Sequence, residues 1–385
     1  MKFELKRIIY SWKFCLMTAI LVLSICIEWQ AQKVNDSIDE PKKVSYQQMQ
    51  TIGKVTNDSI NEYLKKCQNL KDAGVSDGFL QLEHQYPQYD RIIMQVYNVN
   101  DPTAIISKGD FFKDRVNSIK ELVSNRHIYN RREKEKAKLL AEKTSKPFAL
   151  GYGSDWGSIY SGLGLMGTLF SIAAICMGVD FSSKDRLISM DKILYTTGRH
   201  RIFALGARRI VSAILTICIM YIIMLVGNVL AYFKGVHYLT LNSPAIVIEM
   251  QSIYQDTIGS LFFKAVVAGA FAAVFGYLLA VLINMITSNK IKTLAITLLL
   301  FLLPLVVNTS RHLPSVVSRI TSVLPCMAYV VRSDLRMYHT YGSLTVYDMI
   351  LIVSIVGSGI LAVLDLYLYR RKALNRRMIR NQDLA

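Results

Sequence analysis

The side chains that could do chemistry are concentrated in one short segment and at one isolated position. The segment KILYTTGRHRIFALGARRIV, residues 192–211, carries five full positive charges and a histidine between two long apolar runs. Such a cluster could bind phosphate groups, anchor the chain at a membrane surface, or act as the hinge of a membrane machine. The isolated position is Asp365, a carboxylate within an otherwise apolar run.

Sequence motifs for catalysis and for metal binding are absent. The chain has no GxxxxGK[ST] phosphate loop, no GxSxG elbow, no HExxH and no kinase signature set. None of the six histidines has a partner at metal-ligand spacing, and the six cysteines form neither a CxxC pair nor a disulfide framework. We therefore expect a chain that is not an enzyme and that binds no metal or cofactor itself.

The elements that must position these residues are membrane helices. The 385 residues are 52% hydrophobic with a net charge of +17, and the basic residues punctuate apolar runs. A nucleic-acid binder instead carries its basic charge on a polar surface, so no nucleic acid is expected. A bilayer crossing needs about 20 mostly apolar residues. The sequence predicts an all-α polytopic protein whose six transmembrane helices cover 14–30, 158–179, 210–233, 262–286, 291–307 and 346–369.

The charges that flank these spans predict their orientation. With the N-terminus inside, the cytoplasmic segments hold 19 basic and 5 acidic residues, while the short outer loops hold 6 and 4. Cytoplasmic loops are enriched in Lys and Arg, so both termini, including the basic tail 370–385, are expected in the cytoplasm of a cell with this chain in its plasma membrane. A signal peptide at 14–30 is the alternative, but EWQAQK after it is a poor cleavage site.

Residues outside the spans divide into an interfacial helix and one large insertion. Residues 1–13 alternate apolar and basic side chains and predict an amphipathic helix in the inner interface. Residues 31–155 are too long for a loop and predict a mainly helical extracytoplasmic domain. One helix is expected from apolar positions between Met49 and Leu64, and a second runs from Phe112 through Val123 into RREKEKAK, whose mixed charges indicate a solvated face. Residues 91–99 could be a strand or a buried piece of chain.

Small residues and one broken apolar segment predict how the spans pack. Stripes of small residues in the second and fourth spans predict close helix contacts. They are Gly162, Gly164, Gly167 and Ser171 in the second span, and Gly269, Ala273 and Gly276 in the fourth. Residues 313–332 are apolar, too short to cross, and contain Arg319 and Pro325, which predicts re-entrant half-helices facing the bundle.

Charges near the spans can be weighed by depth. Arg208 and Arg209 lie about 20 Å before the middle of the predicted third span, outside the hydrocarbon, and are expected to anchor that span at the membrane edge without special partners. Lys264 lies at the outer boundary and can snorkel. Asp365 lies about 11 Å from the middle of the sixth span, where it is expected to pair with an inner-face arginine such as Arg370 or to face a polar cavity.

The cytoplasmic segment 180–205 is predicted to form its own amphipathic helix. Ser182 or Ser183 can cap its start, Asp185 or Asp191 supplies negative charge, and Gly198 ends it. Its apolar stripe consists of Leu187, Met190, Ile193 and Leu194. Such a helix could lie passively on the lipid, or it could be a lever by which a partner moves the two spans that it joins.

In this topology the chain resembles the membrane subunit of type-2 ABC (ATP-binding cassette) exporters, above all the subset with a large extracytoplasmic domain between the first two spans. Members commonly carry, after the second span, a Glu-rich turn, a helix, a Thr-Pro, an Arg three residues later and a Gly-Lys. Thr197 and Arg201 match the Thr and the Arg, whereas Gly198 stands for the Pro and Ala207 with Arg208 for the Gly-Lys. The Glu-rich turn is partly kept as Lys184, Asp185 and Arg186.

The resemblance implies a function, its partners and a set of coupling residues. Segment 184–197 would be the coupling helix that contacts a separate ATPase, present in two copies with ATP and Mg, and a second permease subunit, identical or different, would complete the path. The cargo class would be a peptide, a drug or another amphipathic molecule. The residues implied in coupling are Asp185, Leu187, Met190, Leu194, Thr197 and Arg201.

Two other readings compete with the exporter. A membrane receptor or sensor would bind an antimicrobial or signal ligand in the extracytoplasmic domain, although the chain has six predicted spans and no large cytoplasmic domain. A polytopic lipid-modifying enzyme would be expected to place paired carboxylates or histidines at the interface, and these are missing.

Overall fold

A computed structural model of the chain describes residues 54–73, 82, 85–86, 89–99, 109–143, 148–149, 153–181, 199–232, 241–287, 289–308 and 314–382, together with isolated helical positions between 18 and 30. The structure is mostly helical, as the sequence predicts. The expected N-terminal interfacial helix, most of the first span and the cytoplasmic segment 182–198 lie outside these residues.

Four helices make up the described part of the large insertion. Helices α1 (Asn57–Asp72), α2 (Tyr89–Tyr97), α3 (Phe111–Asn125) and α4 (Arg131–Glu142) follow one another between two short strands, β1 (Lys54–Val55) and β2 (Phe148–Ala149). The strands pair antiparallel, Lys54 with Ala149 and Val55 with Phe148. This pairing ties the entry of the insertion to its exit.

The insertion differs from the sequence prediction at three places. The helix expected between Met49 and Leu64 begins only at Asn57, because Lys54 and Val55 form β1 and Thr56 caps the helix with an extended backbone. Residues 91–99, predicted to be a strand or a buried piece of chain, are mostly helix α2, with Ile92, Ile93 and Val96 on its buried face. The single long helix expected after Phe112 is two helices, because Arg126 has extended backbone and Asn130 starts a new helix. The Asn130 side chain accepts from the backbone N–H of Glu133, whose own carboxylate accepts from the N–H of Asn130, a reciprocal capping box.

Five of the described helices are long and apolar enough to cross a membrane. They are α5 (Gly153–Val179), α6 (Arg199–Tyr232), α7 (Ile258–Thr287), α8 (Lys290–Val307) and α11 (Val346–Gln382). Between α8 and α11 lie α9 (Ser315–Thr321), a 3-10 turn at Pro325–Tyr329, α10 (Val331–Asp334) and a hairpin of β3 (Thr340–Tyr341) with β4 (Leu344–Thr345). A further 3-10 turn, Ala245–Val247, lies between α6 and α7.

Two of these helices extend well beyond the predicted spans. Helix α6 begins at Arg199 rather than at residue 210, and α11 runs to Gln382, so the predicted tail 370–385 is mostly helix. The added residues are rich in Arg, Leu and Ala, which favour helix, and no proline interrupts them. Charge ends the hydrophobic run but not the helix.

The bundle is centred on α5 and α7. In each of these helices 61% of the most apolar stretch is buried, against 22% in α8 and 28% in α11. Gly276 of α7 packs against Ile175 of α5, and Gly227 of α6 packs against Ile25, which brings the described part of the first predicted span to the bundle. Gly276, from the stripe of small residues in the fourth span, therefore lies at a contact between α5 and α7.

The described residues of the insertion share their buried apolar core with the rest of the protein. Apolar residues of α1 and α2 form one cluster with Ile246, Val247 and Met250, which belong to the connection between α6 and α7. Val116, Ile119 and Val123 of α3 join the large cluster of the membrane helices. Burial of these faces fixes the insertion on top of the bundle.

Candidate functional site

The segment between α8 and α11 is broken into short helical pieces that enter the bundle. Pro325 begins the 3-10 turn, where a missing backbone N–H is tolerated, and the four residues after it are buried. Irregular backbone at membrane depth requires a covering of protein. The predicted half-helices at 313–332 correspond to α9 and this turn.

Tyr329, at the end of the turn, carries its hydroxyl to the middle of two spans. The hydroxyl donates to the backbone carbonyl of Gly269 at 2.7 Å and lies 2.5 Å from the Ser171 hydroxyl. Ser171 is about 3 Å, and Gly269 about 5 Å, from the centres of the apolar segments Ile159–Val179 and Ile258–Thr287. The contact thus lies near the membrane midplane.

Two glycines of α5 make room for Tyr329. A Cβ atom at Gly164 would overlap the Tyr329 carbonyl oxygen, and one at Gly167 would overlap the Tyr329 ring. On the opposite side the Tyr221 hydroxyl of α6 lies directly against Gly269, and the Tyr221 ring packs edge to face on Phe170 with centroids 5.7 Å apart. We call Ser171, Tyr221, Gly269 and Tyr329 the midplane cluster.

At the end of the bundle that carries the insertion, Arg115 of α3 attaches the insertion to the connection between α6 and α7. Its side chain, only 1% exposed, donates to the carbonyls of Met250 at 2.7 Å, Ser252 at 2.5 Å and Ala141 at 3.3 Å. Burial lowers the pKa of Arg115 to about 10, which still leaves the guanidinium charged at neutral pH. Three carbonyl dipoles therefore stabilise one buried cation.

Helix α2 makes a second attachment to the same connection. Arg91 donates to the carbonyl of Ile248 at 2.7 Å. The Gln95 side chain accepts from the N–H of Met250 at 2.9 Å, and the Gln251 side chain donates to the Gln95 carbonyl at 2.9 Å. Nearby, buried Glu249 pairs with Arg336 at 2.8 Å.

A third attachment joins the insertion to the broken segment through His339. Its Nδ1 lies 3.0 Å from Glu133 Oε1, and its Nε2 lies 3.1 Å from the Ser318 hydroxyl. Burial opposes ionisation of Glu133, but hydrogen bonds from His339 and from the Asn130 backbone and the nearby Arg319 charge lower its pKa overall. The order Ser, His, Glu is that of a catalytic triad. All three side chains are buried, however, and the arrangement serves as a joint between three segments.

Three further carboxylates are buried. Glu133 lies in RREKEKAK, whose mixed charges predict a solvated face, yet the residue is 3% exposed. Asp334 at the end of α10 is fully buried, neither of its oxygens has a hydrogen-bond partner in the described structure, and burial raises its pKa well above the ordinary value. Asp365 in α11 is likewise fully buried, and it too has no hydrogen-bond partner among the described residues. Arg370 is exposed and forms no ion pair with it, so the predicted pairing is wrong for this conformation.

The other charges near the spans also differ from expectation. Lys264 does not snorkel freely but bridges Asp256 at 2.8 Å and Asp348 at 2.7 Å. Arg208 is exposed, whereas Arg209 is 7% exposed because α6 continues past it as a helix packed in the bundle. Both arginines are expected to anchor the third span at the membrane edge without special partners, but Arg209 is buried in the bundle and has an interaction there.

The predicted coupling residues are not brought together by the described structure. Arg201 lies in the first turn of α6. Asp185, Leu187, Met190, Leu194 and Thr197 lie outside the described residues.

The sequence contained partial signals for the residues that were missed. Asn130 followed three positions later by Glu133 is a capping-box pattern that marks a helix start and a special role for that glutamate. Gly164 and Gly167 indicate a close approach but not the side chain that makes it. His339 and Arg115 had no local signal, because their partners lie 206 and 135 positions away.

Within the described residues no group of three or more His, Cys, Asp or Glu side chains could hold a metal ion. Comparisons with known protein families, with characterised proteins and with solved structures find no match for this chain.

Proposed function

We propose that the chain is the membrane subunit of an ATP-driven exporter that works with a separate ATPase. In this proposal it has six spans, both termini lie in the cytoplasm, and the insertion stands on the outer face of the plasma membrane. The observation that carries the proposal is the broken segment, which brings Tyr329 to the midplane cluster. Helices interrupted near the bilayer centre are a recurrent feature of transporters, because they allow part of a bundle to move around a central path.

The attachments of the insertion support a route for movement across the outer half of the protein. Arg115 fixes the insertion to the connection that precedes α7, and His339 joins Glu133 to the broken segment that precedes α11. A rigid-body shift of the insertion would thus act on α7, which carries Gly269, and on the broken segment, which carries Tyr329. Alternating access would follow from a population shift between two arrangements of the bundle.

The cytoplasmic partner would act at the other end of α6. Segment 184–197 precedes this helix directly, and Arg201 lies in its first turn. We propose that two ATPase subunits, which hold ATP and Mg, contact this segment, and that a second permease subunit completes the path. The cargo would be a peptide, a drug or another amphipathic molecule, and the chain itself would catalyse no reaction.

The experiment is reconstitution of the chain with its ATPase in liposomes. We expect ATP hydrolysis that rises with added cargo peptide, and export that stops when Leu194 or Arg201 is replaced by alanine while hydrolysis continues. Leu165→Ala, at an exposed position of α5, is the matched control and should export normally. Normal export by both the Leu194 and Arg201 variants would refute the coupling assignment, and a chain that recruits no ATPase would refute the exporter.

A receptor is the second candidate, and the docked insertion is the observation that favours it. Ligand binding there would reach α7 and α11 through Arg115 and His339 without any cargo crossing the membrane. A ligand that binds the purified chain and stimulates the ATPase, but is not moved across the vesicle membrane, would support sensing over export.

A further inference from the structure

Asp365 combines complete burial with the absence of any hydrogen-bond partner in the described structure. Both of its oxygens are buried and unbonded, and its relative exposure is 0%. In the apolar segment Val346–Arg371 it lies about 10 Å from the centre, inside the hydrocarbon half-thickness of about 15 Å. A bare carboxylate is strongly disfavoured at such a position, whereas the neutral acid is tolerated.

Buried Arg209 lies at the same depth on a neighbouring helix. Gly206 of α6 packs directly against the Tyr369 ring of α11, so the start of α6 meets the end of α11 and the two helices run antiparallel. One turn from this contact towards the membrane centre, α6 carries Arg209 and α11 carries Asp365. Arg209 is about 11 Å from the centre of its segment Phe203–Leu230, which agrees with the depth of Asp365.

In the part of the chain that the structure describes, the other charged groups near this level are exposed or already paired. Arg208 and Arg370 are exposed, and Asp180 at the end of α5 pairs with Lys290 at 3.0 Å. The one charged residue of α7 is Lys264, which lies at the opposite end of that helix. On the face of α11 that meets α6, Tyr369 is another ionisable side chain. Among the described residues, Arg209 is therefore the buried cation that is level with Asp365.

We propose that Asp365 is a proton-binding site within the membrane bundle and that Arg209 becomes the partner of its carboxylate when the proton leaves. In the present conformation Arg209 is engaged elsewhere and forms no ion pair with Asp365. Arginine keeps its charge at any physiological pH, so the titrating member of the pair is the carboxyl group. Loss of the proton draws α6 and α11 together at this level, and uptake of the proton releases them.

The proton thereby sets the balance between two arrangements of α6 and α11. A ligand shifts a conformational equilibrium only through its different affinity for the two states, and a proton on Asp365 meets this condition because one state leaves the carboxyl unpaired. The inference depends on the packing of the membrane helices and not on an ATPase. It can fail while export stands, and it can hold if the chain is a receptor.

Infrared spectroscopy of the full chain in lipid nanodiscs tests the protonation directly. We expect the carbonyl band of a protonated carboxylic acid at neutral pH, and we expect the wild type minus Asp365→Asn difference spectrum to contain it. Asp334 is a second buried acid, so Asp334→Asn is measured in parallel to remove its band. Asp348→Asn, which changes a paired carboxylate of the same helix, is the control and should leave the Asp365 band intact.

A titration of that band tests the partner. Removal of a nearby positive charge disfavours the carboxylate, so Arg209→Gln should raise the pH at which the band disappears by about one unit or more. Arg208→Gln, the exposed neighbour, should leave this pH unchanged, and Arg209→Lys should stay close to wild type. If Arg209→Gln does not fold, Arg209→Met, which also removes the charge, takes its place in the titration and should raise the same pH by about one unit or more. A difference spectrum without an acid band, or equal shifts from Arg208→Gln and Arg209→Gln, would overturn the proposal.

Discussion

Tyr329 and Gly269 are joined across the middle of the bundle, with the tyrosine hydroxyl donating to the glycine carbonyl at 2.7 Å. The carbonyl belongs to a continuous membrane helix, and the hydroxyl comes from a segment that does not cross the membrane. The same hydroxyl lies 2.5 Å from Ser171 of α5, so one side chain holds the broken segment to two spans. Loss of the Tyr329 hydroxyl should therefore lower the stability of the protein and impair any function that needs this segment in place.

Tyr329→Phe removes this hydroxyl and keeps the ring in the space beside Gly167. We expect a loss of about 1 kcal/mol in the free energy of unfolding, since the Gly269 carbonyl and the Ser171 hydroxyl lose a partner in a dry environment. Unfolding in mixed micelles, followed by circular dichroism, measures it. Tyr367→Phe is the control, because that hydroxyl-bearing ring is 58% exposed on α11. Equal stability of the two variants would show that the midplane hydrogen bond contributes nothing.

Gly164→Ala tests the closest approach of the broken segment to α5. The added methyl group would meet the Tyr329 carbonyl, which is backbone and cannot rotate away. We expect destabilisation by about 1–3 kcal/mol, the usual cost of overpacking. Gly359→Ala in α11 has nothing within 4 Å of the added methyl and should be neutral or slightly stabilising, because alanine favours helix. Thermal unfolding of both variants in the same detergent measures the two changes in stability, and equal stability of the two variants would contradict the close contact at Gly164.

The sequence predicted the membrane helices because their signal is local. Long apolar runs and flanking charges are properties of neighbouring residues, and five of the predicted spans correspond to helices of the structure. The start of α6 was missed because Arg199 to Arg209 favour helix while breaking the hydrophobic run. The break at residues 126–130 was missed because the apolar spacing of α3 and the charges of α4 look continuous.

The contacts between distant segments could not be predicted from the sequence in the same way. Arg115 and Met250 are 135 positions apart, and nothing near Arg115 distinguishes it from the solvated arginines of α4. Tyr329 lies in a short apolar segment whose depth depends on where Gly164 and Gly167 leave space. Such contacts depend on packing, which a single sequence does not specify locally.

Arg115→Met should detach the insertion from the connection between α6 and α7. The variant keeps an apolar stem but leaves the carbonyls of Met250, Ser252 and Ala141 without a donor. We expect a loss of about 3 kcal/mol, because these are buried hydrogen bonds to a charged group. Limited proteolysis should cut α3 or α4 faster in the variant. Arg131→Met, whose side chain is 93% exposed, should behave as wild type, and similar cleavage of both variants would contradict the assigned role.

Glu133→Gln should weaken the joint at His339 in a pH-dependent manner. The pKa of Glu133 is lowered in the folded protein. The ionised carboxylate therefore contributes stability above the ordinary carboxyl pKa of about 4.3, and this contribution is lost as the pH falls through the pKa of the folded state. Glutamine can still accept from the Asn130 N–H but carries no charge for His339 or Arg319. The stability difference between wild type and Glu133→Gln should therefore shrink on acidification, as followed by thermal unfolding from pH 7 downward. Glu135→Gln, an exposed neighbour, is the control, and a difference that is constant with pH would contradict the ionised joint.

Asp334→Asn should show the opposite dependence on pH. Burial raises the pKa of Asp334 well above its ordinary value, so the folded state holds a proton that the unfolded state releases above about pH 4. Wild-type stability should therefore fall as the pH rises above that range, while Asp334→Asn, which resembles the neutral acid in shape and charge, should lack this component. The variant should gain on wild type as the pH rises above that range, whereas the disadvantage of Glu133→Gln grows with pH only below about 4.3 and is constant above it. Thermal unfolding of the two variants side by side measures both dependences, and no gain of Asp334→Asn above about pH 4 would show that Asp334 is ionised where it is buried.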